Sequence, residues 1–184
     1  MKGTVTLIIL LGWAIFWLGW LLAAVHTKRG RTRWSGYASV RLLLVLALAV
    51  AVRGNRHGAA AASLSGPAPK AVGLTLWILG IALAVWARVY IGGNWGTPMS
   101  RKENPDLITT GPYRFVRHPI YSGIILAMFG TAVAVTLYWL IPAVLCAVYF
   151  SYSAKAEERY MTERFPQAYP AYREKSKMLI PFVF

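Results

Sequence analysis

The sequence predicts an all-α integral membrane protein with about five transmembrane helices and a cytoplasmic C-terminal helical segment. Three observations carry that expectation. The 184 residues are 57% hydrophobic and only 14% charged, where a soluble domain carries about 25% charged residues. The apolar residues gather into runs long enough to cross a hydrocarbon core of about 30 Å. The charges fall between those runs and are strongly one-sided.

The first run extends from about Thr4 to Val25 and lacks a small-residue cleavage site before the basic stretch His26–Arg33. It reads as a retained helix rather than a signal peptide. Four further spans fit Tyr37–Val52, Ala71–Ile91, Pro119–Leu137 and Tyr138–Tyr152. The second and fifth are short for a full crossing and call for tilt or frayed ends. Between the second and third spans, Arg53–Lys70 is rich in Gly, Ala and Pro and reads as an external loop. The last two spans meet at the uncharged Thr136–Trp139, which predicts a tight helical hairpin. Gly123, Ala127, Gly130 and Ala134 recur at three- and four-residue spacing, a face along which backbones can approach closely. Pro142 is expected to kink the fifth span. Beyond Ser153 a mixed-charge helix is expected to about Arg164, then a turn at Phe165-Pro166 and an apolar tip, MLIPFVF.

With five spans, all but four (Lys2, Arg53, Arg56 and Lys70) of the 20 basic residues lie on one side. The positive-inside rule then places the N-terminus outside and the C-terminus in the cytoplasm. All six acidic residues share that cytoplasmic side, so polar chemistry should open there. The net charge of +14 is explained by topology and the lipid bilayer, and no nucleic acid is expected as a partner. Cys146, the single cysteine, excludes an intrachain disulfide and any cysteine-rich metal site; no metal is expected.

Two stretches carry chemistry. In GPYRFVRHPIYSG, Gly111 to Gly123, Gly111-Pro112 marks a turn and Pro119 opens a helix, where its missing N–H costs little. The free N–H groups of that helix start, with Arg114 and Arg117 beside them, make an anion-accepting terminus. Tyr113, Phe115 and Tyr121 offer flat faces for a base or a sulfonium. The same residues would also serve as an interfacial belt anchoring a helix at the headgroups. In EERYMTERFPQAYPAYREKSKMLIP, Glu157 to Pro181, two carboxylates follow directly on an apolar span, at the helix end where the dipole disfavours them. They imply a cationic partner, or else an ordinary solvated helix end.

Taken together, the order of parts resembles the isoprenylcysteine carboxyl methyltransferase family: G-x-Y, R-H-P-x-Y-x-G, hairpin, E-E, F-x-x-x-Y-x-x-Y and a terminal Pro. Related membrane phospholipid methyltransferases share it more loosely. The likeness covers roughly Gly92 to Pro181. It implies S-adenosyl-L-methionine as cofactor, held without a Rossmann fold, and this chain has no G-x-G-x-x-G loop. With no internal repeat, the chain reads as one membrane domain, residues 1–184, with three N-terminal spans in 1–91 and the link, hairpin and C-terminal segment in 92–184; the resemblance makes that link cofactor-binding. By position, Asp106, Leu107, Ile108, Tyr113, His118, Pro119, Ile120, Tyr121 and Glu158 match the cofactor side. Glu157 matches the glutamate between cofactor and substrate, and Arg117 stands beside it as a second catalytic candidate.

The expected activity is methyl transfer to a lipophilic acceptor such as an isoprenylcysteine or isoprenoid carboxylate. Such a transfer needs proximity and a dry, aligned site rather than a strong base. Eukaryotic members place an arginine four residues before the glutamate, where this chain has Ser153. An amine or phospholipid acceptor, an NADPH-dependent sterol-type reductase and a non-catalytic membrane protein are the alternatives. Reductases of that type carry an R-H-P-N-Y-x-G-E-like motif, and Ile120 and Ile124 stand here in place of the Asn and Glu.

Overall fold

The computed structural model describes residues 2–23, 30–32, 46, 49, 53, 63, 64, 66–96, 98, 100–102 and 104–183. Five helices are described in full: α1 (Lys2–Ala23), α2 (Pro67–Ile91), α3 (Pro119–Ala134), α4 (Leu140–Arg164) and α5 (Ala168–Lys175). Three are long and apolar enough to cross a membrane, and α3 is a shorter apolar helix. Leu46 and Ala49 of the expected second span are helical; the rest of that span lies outside the described residues.

Each helix begins where the sequence permits. α2 starts four residues earlier than expected because Pro67 and Pro69 suit a first turn, where no N–H is needed. Pro142 likewise falls third in α4. The expected kink is therefore not required, since a proline in the first turn breaks no intrahelical bond. The mixed-charge helix expected to about Arg164 ends there, and it is continuous with the fifth span as one 25-residue helix. No Gly or Pro interrupts that stretch, and its Ala, Glu, Arg and Met favour helix. A short antiparallel ribbon, β1 (Gly30–Thr32) with β2 (Ser100–Lys102), was not legible in the sequence.

Helices α2 and α3 pack antiparallel at backbone contact. A Cβ on Gly80 would lie 2.5 Å from the Gly123 carbonyl oxygen, and one on Gly73 2.6 Å from that of Gly130. The small-residue face of α3 thus seats on α2, and small residues allow such an approach in a bilayer, where lipid supplies no drive to bury apolar side chains. The expected turn between α3 and α4 holds, built from extended Thr136 and a 3₁₀ turn, Leu137–Trp139.

α1 runs parallel to α2. Arg88 Nη2 donates to the Ala23 carbonyl at the C-terminal end of both helices. Ser63 meets the Val135 carbonyl at the opposite end of the bundle. Thr32, paired with Ser100 beyond the end of α2, and Ser63 therefore lie toward opposite ends of the bundle. The end bearing the C-termini of α1, α2 and α4 and the N-terminus of α3 carries the polar chemistry.

Candidate functional site

The site grows from the turn before α3. Gly111 adopts φ 59, and a Cβ there would strike the Tyr90 ring at 2.6 Å, so only glycine fits. The turn sends the Tyr113 hydroxyl onto the Ala87 carbonyl at 3.3 Å. Its own carbonyl accepts from the Tyr172 hydroxyl at 2.6 Å. The tail then folds back along the motif as a strap. Arg117 N–H donates to the Lys177 carbonyl at 2.8 Å, His118 N–H to that of Met178 at 3.1 Å, and Lys177 N–H to that of Phe115 at 3.2 Å. Ser122 Oγ adds a bond to the Leu179 carbonyl at 2.5 Å.

Beneath the strap, His118 faces both acids of α4. Its Nδ1 lies 3.5 Å from Glu157 Oε2 and its Nε2 3.4 Å from Glu158 Oε1. The two glutamates diverge from there. Glu158 is buried and takes Arg117 Nε at 2.7 Å, while Arg117 Nη1 donates to the carbonyls of Arg173 and Ser176. Glu157 accepts instead from the Tyr121 hydroxyl at 2.5 Å. The Tyr121 ring lies flat between His118 and Phe150, with centroids at 5.5 and 4.3 Å.

These residues border a cavity of about 170 Å³. One wall is Asp106, Leu107 and Ile108; a second is Tyr113, His118, Ile120 and Tyr121; Glu157 closes a third. Asp106 is placed by a reciprocal pair of bonds with Asn94, its N–H donating to Oδ1 and its Oδ2 accepting from Nδ2, both at 3.1 Å. Eight of the expected site residues thus come together. Pro119 is buried beneath, and Arg117 and Glu158 form their pair behind the wall rather than lining it. The guanidinium expected at the helix start is committed to Glu158 and two carbonyls. Ser153 is buried and bonded to the Tyr149 carbonyl, and Lys155 is exposed.

Trp95, Tyr160, Tyr169 and Tyr172 also line the cavity and were not singled out from sequence. Helical spacing from Glu157 could have found Tyr160. Tyr169 and Tyr172 stand in the F-x-x-x-Y-x-x-Y run, whereas Trp95 carried no signal. Burial holds the Tyr113 and Tyr169 hydroxyls well above their ordinary range, so both remain neutral donors. Among the described residues, no Lys or Arg lines the cavity. Aromatic faces with Asp106 and Glu157 suit a cation.

Residues 69–168, more than half of the chain, match the Phospholipid methyltransferase family. The chain belongs to that family of membrane methyltransferases. Family members take their methyl group from S-adenosylmethionine. The match runs from α2 to the first residue of α5 and includes the His118 turn and both glutamates. Protein-S-isoprenylcysteine O-methyltransferase B of Arabidopsis thaliana is 33% identical over 117 residues, which cover 60% of this chain and 58% of that protein. Cobalt-zinc-cadmium resistance protein CzcN of Cupriavidus metallidurans is 30% identical over 115 residues, 59% of this chain and 49% of that one. Methanethiol S-methyltransferase 1 of Bradyrhizobium diazoefficiens is 39% identical over 70 residues, 38% and 24% of the two chains. The chain spans about half or less of the length of most of these relatives.

Proposed function

We propose that this protein is a membrane-integral, S-adenosylmethionine-dependent methyltransferase acting on a lipophilic acceptor at the cytoplasmic end of the bundle. The observation that carries the reading is the donor set of the cavity. It is walled by tyrosines and apolar side chains, includes two carboxylates, and is lined by no Lys or Arg among the described residues. That set fits a sulfonium carried by an adenosyl group: aromatic and apolar walls for the base, and negative charge for the cation.

Bound there, the cofactor would supply an electrophilic methyl group for in-line displacement. The chain's own residues do the rest. Asp106, Leu107 and Ile108 supply the link wall, and Tyr113, His118, Ile120 and Tyr121 the helix-start wall. Tyr121 fixes one oxygen of Glu157, so the carboxylate is aimed rather than free to rotate, and it faces both cofactor and acceptor. Pro119 and the Arg117–Glu158 pair hold the frame on which these side chains stand. Trp95 and the strap tyrosines help to exclude water, which strengthens every charge interaction inside.

The acceptor is an isoprenylcysteine or isoprenoid carboxylate if Arg117 is released toward it. An amine headgroup is the second reading. The placement of both candidate cations, Arg117 paired with Glu158 and Lys155 exposed, supports it. Purified protein in detergent is to be titrated with S-adenosylmethionine and with NADPH, then offered a prenylcysteine and an amine lipid with labelled cofactor. Saturable binding of S-adenosylmethionine alone is expected; binding of NADPH alone overturns the reading.

A further inference from the structure

Arg88 stands three residues before the end of α2, within an apolar span. A cation there is costly unless it finds partners inside the bundle. An arginine serving as an interfacial anchor reaches outward to headgroups, yet Arg88 turns inward and is only 8% exposed. Nη1 donates to the Gly92 carbonyl at 3.1 Å and Nη2 to the Ala23 carbonyl at 2.8 Å. Those carbonyls close α2 and α1, at ends where the helix dipole favours positive charge. Nε has no acceptor among the described residues. The remaining hold on the guanidinium is aromatic. Its Cζ lies 4.6 Å from the Trp95 ring centroid and 5.8 Å from that of Trp20. The two indoles meet edge to face at 5.7 Å. Trp95 is itself a wall of the cavity.

We propose that Arg88 is a positioning residue for the cavity: it pins the Trp95 wall and ties that wall to the end of α1. The proposal rests on reading the cavity as the S-adenosylmethionine site. It gives α1, which lies outside the family match, a part in shaping the site through Arg88 and Trp20. A lysine keeps the charge but not the planar fork. It cannot reach both carbonyls and cover the indole together.

The test compares wild type, Arg88→Lys, Arg88→Gln, Trp95→Leu and the Arg88→Gln/Trp95→Leu double variant, as full-length protein in detergent. Calorimetry with S-adenosylhomocysteine should show about a tenfold loss of affinity in both Arg88 variants. The double variant should bind no more weakly than Trp95→Leu alone, because Arg88 acts through Trp95. Losses that multiply, or unchanged affinity in Arg88→Gln, overturn the proposal. A second measurement needs no ligand. Hydrogen exchange at residues 92–96 should quicken several-fold in Arg88→Gln while α3 and α4 stay unchanged. Unchanged exchange at 92–96, or a uniform rise across the chain, overturns it. If wild type fails to bind S-adenosylhomocysteine while the exchange change stays local, the cofactor reading falls and the positioning of Trp95 by Arg88 stands.

Discussion

The Tyr121 hydroxyl donates to Glu157 Oε1 across 2.5 Å, joining the first turn of α3 to α4 at the cavity wall. The Phe150 ring, 4.3 Å away and nearly parallel, keeps Tyr121 in place. Tyr121→Phe preserves that stack and removes only the donor. A bond to a carboxylate contributes about 1.5–3 kcal/mol, so Tm should fall by several degrees, while methyl transfer per folded molecule should fall by about one to two decades as Glu157 loses its aim. Glu157→Gln should lose at least as much. The check is turnover per folded molecule, with melting followed in parallel; full activity of Glu157→Gln on every accepted substrate ends its catalytic assignment.

Arg117 and Glu158 are both buried and 2.7 Å apart. Removing one partner leaves the other with weaker contacts, His118 at 3.4 Å and Arg173 at 3.8 Å for Glu158 and two carbonyls for Arg117, at a cost of up to about 3–5 kcal/mol. Arg117→Met and Glu158→Leu should each lower Tm sharply, and the double variant should recover part of the loss. If Arg117 acts only as frame, turnover of the folded fraction changes little. A collapse of turnover with Tm intact would instead place Arg117 at the acceptor.

Gly80→Ala should be costly because the new Cβ meets backbone, 2.5 Å from Ala127 N and from the Gly123 carbonyl oxygen. Overpacking of this kind costs about 1–3 kcal/mol or more. Gly19→Ala, with nothing within 4 Å of its Cβ, should melt as wild type does. Equal Tm values for the two variants would mean that α2 and α3 are further apart than described.

Burial pushes the Tyr172 hydroxyl from 10.0 up to about 12. The fold thus favours the neutral hydroxyl, which donates to the Tyr113 carbonyl. This contribution is fully present below the unfolded value and is lost as pH rises through the folded one. Stability should hold to about pH 9 and decline toward pH 12. Tyr172→Phe should make that decline shallower, the buried Tyr113 and Tyr169 carrying the rest, measured by melting across the pH range.

Orientation is open to direct labelling. Ser63 and Arg164 lie at opposite ends of the bundle, and the native Cys146 is buried. Ser63→Cys should react with an impermeant maleimide from outside and Arg164→Cys only from the cytoplasm. The reverse pattern would move the site to the outer face.

The sequence by itself determined the class of this protein. Apolar runs, one-sided charge and the G-x-Y, H-P-x-Y and E-E spacings are local signals; they sufficed for an all-α membrane chain, and the family resemblance they carry reached eight residues of the cavity. The helix face of Gly123, Ala127, Gly130 and Ala134 was equally legible. That its partner is Gly73 and Gly80 on α2 depended on how two distant helices meet. Adjacent glutamates were likewise indistinguishable along the chain. Helix α4 turns them about 100° apart, so Glu158 meets Arg117 in the frame while Glu157 meets Tyr121 at the cavity. Trp95 and Arg88 became part of the site only because α1, α2 and the link close at one end. Periodicity records which face of a helix is apolar; which side chain receives the charge is decided by the tertiary packing that brings an acceptor within 3 Å.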